Sequence, residues 1–289
     1  MAHADTLSLT VHPLGDTLGA EIRGLDLNEP LTDADARALQ AAWSEHLVLR
    51  FRDQDNLSLA AQIAFSRHFG KLDKRPTVSA EMSAQHDALP PEITVISNIK
   101  VEGKPLGALG DAEAVWHSDM TYNEFPPKAA CLHAREVPPQ GGDTHFANLH
   151  AAYEELDAKV KERIATLRCV HDASRNSAGE LRLGAREVTD PRQTVGAVHP
   201  LVMTHAVSGK RHLMLGRRRN AYIVGLPLDE SEMLLDQLWQ HATRPRFTWT
   251  QVWRRGDLVM WDNAATLHRR DAFDPTSRRL MYRTQIASA

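Results

Sequence analysis

Apolar and polar residues alternate at the start of the chain, fall into helical spacing over its first quarter, and then return to short alternating runs. Residues 7–12 (Leu-Ser-Leu-Thr-Val-His) alternate, which predicts a strand with one buried face. Ala36, Leu39, Trp43 and Leu47 then recur on one helical face. Thr32 offers a hydroxyl cap before them, and Asp33 and Asp35 suit a helix's first turn. Residues 47–51 (Leu-Val-Leu-Arg-Phe) predict a buried strand. A second helix is expected from Ser58 to Phe69, with Gly70 as its left-handed terminator. The stretch 71–92 holds several turn formers and the adjacent Pro90 and Pro91, so it reads as irregular, and 71–115 is a candidate mobile lid. Residues 93–99 are strand-like again.

Beyond residue 115, strands are expected at 128–137, 143–147, 197–204, 212–216, 248–253, 257–262 and 279–286. Helices interrupt at about 148–168 and 229–243, the latter with Met233, Leu234, Leu238 and His241 at helical spacing. Many short strands with Gly and Pro turns predict an α+β chain with a β core, a sandwich or a barrel-like jelly roll with helices outside. No repeat or long linker divides the chain, so 1–289 is expected to form a single domain.

Composition narrows the partners. Charged residues are 25% and hydrophobic ones 42%, as in soluble globular proteins, and a net charge of −3 gives no reason to expect nucleic acid or an anionic membrane. No apolar run approaches the roughly 20 residues that span a bilayer, and the N-terminus lacks a signal-peptide pattern. Two cysteines make no disulfide framework, so a cytoplasmic protein is expected. Homo-oligomerisation is left open. Fifteen histidines argue for nothing by number; only their arrangement can.

One arrangement stands out. In Trp116-His117-Ser118-Asp119, a strand would turn His117 and Asp119 to the same side. An imidazole and a carboxylate are two of the three ligands of the facial triad in non-haem iron oxygenases, although His-x-Asp alone is a weak signal. Gln140-Gly141-Gly142-Asp143-Thr144 reads as a tight turn entering a strand, where the Thr144 hydroxyl can donate to a carboxylate. Gly256 to Asn263 reads as a turn, a buried strand and a polar end, and His268 follows five residues later. Arg279 comes eleven residues after His268 and Arg283 four later, with the same strand parity. Two inward guanidinium groups are costly unless anions answer them, and their planar forks suit carboxylates.

Taken in this order, the motifs resemble the taurine dioxygenase/TfdA family, from Leu18-Gly19-Ala20-Glu21 through His68-Phe69-Gly70 to Arg283. The resemblance implies a double-stranded β-helix, the jelly-roll relative of cupins, and an iron(II)- and 2-oxoglutarate-dependent dioxygenase that consumes O2 and releases succinate and CO2. It implies iron at His117, Asp119 and His268, and 2-oxoglutarate on Arg279 and Thr144. Arg283 would hold the acid group of a small anionic organic substrate, and Trp261 would line the site or serve the core. The family's halogenating relatives lack the carboxylate, so Asp119 favours hydroxylation. Arg75, Val78 and Arg219 stand where the family's taurine-contacting residues fall, which implies a more basic pocket and an acid other than taurine. An aryloxyalkanoate or alkylsulfonate would suit, with C–O or C–S cleavage of its product. A zinc-dependent hydrolase could use the same ligands but gives Arg279 no task. A catalytically silent, cupin-like acid-binding protein would have little reason to keep all three.

Overall fold

Two β-sheets face each other across a shared apolar layer. The computed structural model describes residues 8–75 and 89–288. The larger sheet has eight strands, in spatial order Thr10–Pro13, Ala20–Arg23, Val48–Phe51, Leu258–Asp262, Ala129–Glu136, Leu280–Ile286, Thr94–Ser97 and Ala108–Leu109. The smaller has four: Thr248–Gln251, Thr144–Asn148, Thr266–Arg270 and Ala114–His117. Pairing is antiparallel except between Ala20–Arg23 and Val48–Phe51 and between Thr94–Ser97 and Ala108–Leu109. This is a β-rich α+β fold.

Strand periodicity sorts the side chains. On Leu280–Ile286, Met281 joins Val259, Trp261, Leu132 and Phe146 between the sheets, while Ile286 and Tyr282 face the layer of the N-terminal helices. Those helices, Asp33–His46 and Leu59–Arg67, cover the outer face of the larger sheet through Leu39, Trp43, Ile63 and Phe65. Their starts are as expected: the Thr32 hydroxyl accepts from the Asp35 amide and Ser58 from Ala61. A third core gathers helix Leu228–Ala242, with Leu234, Leu235 and Leu238, against Leu149, Ile164 and Leu267.

Several expectations change. The helix expected over 148–168 is two, Leu149–Glu154 and Ala158–Ile164, because the Asp157 carboxylate caps the second by accepting from Lys159. The run 197–204 splits at Pro200 into Val198–Pro200 and Val202–Thr204, in different small sheets. The lid expected over 71–115 falls partly on 76–88, outside the described residues. Of the rest, Thr94–Ser97 and Ala108–Leu109 are strands of the larger sheet.

Candidate active site

His268 sits on Thr266–Arg270, directly opposite His117 on the neighbouring strand Ala114–His117. That strand ends at His117, so Asp119 reaches the site from the turn beyond it and not by strand parity. The turn is held on both sides. Ser118 donates its amide to the Gly216 carbonyl at 2.9 Å and its hydroxyl to the Thr266 carbonyl at 2.7 Å. Asn263 accepts the Asp119 amide at 2.7 Å and returns a bond to the Asp119 carbonyl at 2.9 Å. The sequence shows Asn263 only as the polar end of a strand; its clamp on Asp119 is a spatial fact.

Three ligand atoms converge. Those of His117, Asp119 and His268 lie within 4.8 Å of one another, and all three residues are buried. Asp119 Oδ1 is 3.6 Å from His117 Nε2 and 3.9 Å from His268 Nε2. His117 Nδ1 donates to the Val115 carbonyl at 2.7 Å, which leaves the Nε2 lone pair facing the other two ligands. Burial would raise the Asp119 carboxyl, but Arg283, with the two histidines, overrides it and holds the group far below the usual carboxylate range. Burial, then the nearby His117, pushes His268 well below an ordinary imidazole. A carboxylate with two imidazoles is a donor set for a divalent transition metal.

Arg279, just before the strand Leu280–Ile286 that carries Arg283, is 2% exposed. Its Nε has no hydrogen-bond partner, and among the described residues no carboxylate oxygen lies within 4.0 Å of its guanidinium. Burial, and next the charge of Arg270, lower its pKa, with Asp143 opposing. Gly142 packs against it: a Cβ there would stand 3.5 Å from Arg279 Nε. Thr144 accepts from Trp253 Nε1 at 3.0 Å, so its own hydroxyl hydrogen remains to donate elsewhere. Trp261 packs between the sheets, with its ring 5.0 Å from that of His268.

Asp119 and Arg283 open onto a cavity of about 160 Å³. Arg283 Nη1 donates to Asp119 Oδ2 at 3.0 Å, and its Nε is buried without a partner. The apolar lining comes from Val95, Ile96, Ala108 and Leu109; the polar lining adds Arg75, Tyr122, Asn176, Arg182 and Arg217. Arg75 therefore lies at the cavity, with Nη1 donating to the Pro90 carbonyl at 2.8 Å. Arg219 does not: it is exposed, 3.7 Å from Glu187, and Arg217 takes the inward position. Three consecutive arginines give no sign of which turns in. The backbone phase set by Gly216 and by the bridge between His117 and Arg217 decides it. Arg182 and Tyr122 carry no sequence signal that would have found them.

Fold and site define a 2-oxoglutarate-dependent dioxygenase. Residues 10–285 match the family model for the taurine catabolism dioxygenase TauD, TfdA family, and the chain belongs to that family. It is 34% identical over 287 residues to the alpha-ketoglutarate-dependent 2,4-dichlorophenoxyacetate dioxygenase of Cupriavidus pinatubonensis, covering 96% of this chain and 97% of that one. It is also 34% identical, over 91% of its own length and 84% of the other, to an alpha-ketoglutarate-dependent sulfate ester dioxygenase of Pseudomonas putida. The crystal structure of AAD-2 in complex with Mn(II) and N-oxalylglycine superposes with a TM-score of 0.79 at 32% identity, covering 98% of both chains.

Proposed function

We propose that this chain uses iron(II), 2-oxoglutarate and O2 to hydroxylate a small organic acid other than taurine. The two facing sheets are read as the family's double-stranded β-helix. The observation that carries the proposal is a buried two-histidine, one-carboxylate cluster, in a chain that also holds a buried arginine without a carboxylate. The residues fit both groups. His117, Asp119 and His268 would hold iron(II), Arg279 the distal carboxylate of 2-oxoglutarate, and Thr144 a second bond to it. Together, iron and cosubstrate supply the reduction of O2, in which decarboxylation to succinate drives oxygen insertion into a substrate C–H bond.

The protein supplies geometry. His117 is fixed in its ligating tautomer by the Val115 carbonyl, and Asp119 is clamped by Asn263. Arg283 keeps Asp119 anionic and lines the cavity where the substrate's acid group would bind; its Nη2 also lies 3.5 Å from Gln285 Oε1. Bidentate pairing there fixes which carbon faces the metal. Where that carbon bears an ether or sulfate-ester oxygen, the hydroxylated product collapses with C–O cleavage; where it bears a sulfonate, C–S cleavage follows.

Incubation with iron(II), 2-oxoglutarate and a panel of aryloxyalkanoates, alkyl sulfates and alkylsulfonates tests this reading. Succinate should form in proportion to oxygen consumed, with acids well ahead of their neutral amides. Succinate formation that no acid stimulates, neutral analogues as good as acids, or taurine as the best substrate would remove it.

A further inference from the structure

Arg182 and Arg217 are two cations sharing one acceptor. Arg217 Nη1 donates to the Arg175 carbonyl at 2.7 Å and Arg182 Nε to the same oxygen at 3.2 Å, which holds the guanidinium groups side by side. Arg217 is 8% exposed and its Nε has no partner. Among the described residues neither has a carboxylate oxygen within 4.0 Å. The other bond of Arg182, 2.7 Å long, goes to Tyr122 Oη, and its guanidinium lies 4.1 Å from the centre of that ring. Neighbouring arginines are treated differently: Arg175 pairs with Glu187, and Arg218 with Glu232 and Asp236.

Both unanswered cations line the cavity that Asp119 and Arg283 enter. Asp119 and Asp172 attract Arg217 from beyond pairing distance, but the oxygens of Asp119 already face Arg283 and the two histidines, and those of Asp172 accept from Ser174 and Asn220. Burial, then the like charge of Arg182, pushes the Arg217 pKa down. Adjacent like charges in a partly dehydrated cavity repel, and the arrangement costs stability until an anion binds. The cosubstrate does not supply that anion if its distal carboxylate goes to Arg279.

We infer that the Arg182–Arg217 pair is a second anion subsite, and that the substrate is a diacid with an apolar body. One acid group meets Arg283; the other meets the paired guanidinium groups, with Asn176 at the same lining. Val95, Ile96 and Leu109 accept the body. This rests on the reading of Arg283 given above.

Titration calorimetry on protein loaded with Mn(II) and N-oxalylglycine, so that Arg279 is occupied, tests it. The probes are phenoxyacetamide, phenoxyacetate, and 3- and 4-carboxyphenoxyacetate. One of the diacids should bind at least about tenfold more tightly than phenoxyacetate. That preference should shrink towards unity in Arg182→Gln and Arg217→Gln, and weaken as salt rises. Should the buried Arg217→Gln variant fail to fold, half-buried Arg182 carries the test. Diacids no tighter than phenoxyacetate, or a preference that survives in Arg182→Gln, overturns the subsite. Phenoxyacetate no tighter than phenoxyacetamide overturns the Arg283 reading, and the diacid with it.

Discussion

Arg279 shows how much one side chain can disclose. A guanidinium at 2% exposure without a carboxylate is an expensive residue to keep unless a ligand completes it. Arg279→Gln should raise the KM for 2-oxoglutarate by about 30-fold to several-thousandfold, since losing one partner of a buried charged pair costs about 2–5 kcal/mol. The same replacement removes an unanswered buried cation, so the thermal stability of the metal-free protein should hold or rise. Steady-state kinetics with varied 2-oxoglutarate, beside a melting curve, checks both; an unchanged KM removes Arg279 from the cosubstrate site. This residue was legible in the sequence because its spacing from His268 is a motif. Arg217 was not, since its inward turn depends on a backbone phase that three like residues cannot display.

Among the elements, the turn joining His117 to Asp119 depends on Gly216. Its φ is +65°, and an added Cβ would lie 2.1 Å from His171 Nδ1 and 2.7 Å from Thr121 Oγ1. Gly216→Ala should therefore cost about 2–4 kcal/mol, from left-handed backbone strain and overpacking together. Gly225, at φ +89° with open space around it, is the control and should cost only about 1–2 kcal/mol as Ala. Urea unfolding of both variants decides, and equal losses would show that His171 gives way freely. Helix starts were readable because a cap is a local event, as at Thr32 and Ser58. Strand Thr266–Arg270, which carries His268, went unseen because Arg269 and Arg270 break its apolar pattern. Their partners are supplied only by the fold: Glu113 and Asp271 for one, the Leu109 and Ala112 carbonyls for the other.

For the whole molecule, buried imidazoles set the response to acid. Burial pushes His133 and His212 down to about 4 and His171 to about 3, from an ordinary value of 6.5. Unfolded chains protonate these groups as pH falls below 6.5, while the folded protein does not. Their contribution to stability is therefore full above pH 6.5 and lost towards pH 4, at about 1.4 kcal/mol per pH unit for each histidine. Urea unfolding of the metal-free protein at pH 7, 6 and 5 should show a fall approaching about 4 kcal/mol per unit at the acid end. A flat profile would mean that these rings are hydrated. Many of the longer strands and their helical neighbours were legible in the chain; short strands such as Ala20–Arg23, and how the strands are shared between two sheets, were not, because pairing joins residues far apart. That same threading orders events in time. His117, Asp119 and Thr144 leave the ribosome more than a hundred residues before His268, Arg279 and Arg283. The late arrivals do not settle on an outer edge: Leu280–Ile286 slots between Ala129–Glu136 and Thr94–Ser97 in the middle of the sheet. A growing chain thus carries two of the three proposed metal ligands and Thr144 of the proposed cosubstrate site, but neither His268 nor Arg279. On the proposed assignment, oxygen-activating chemistry is withheld until the strand that closes the core has taken its place.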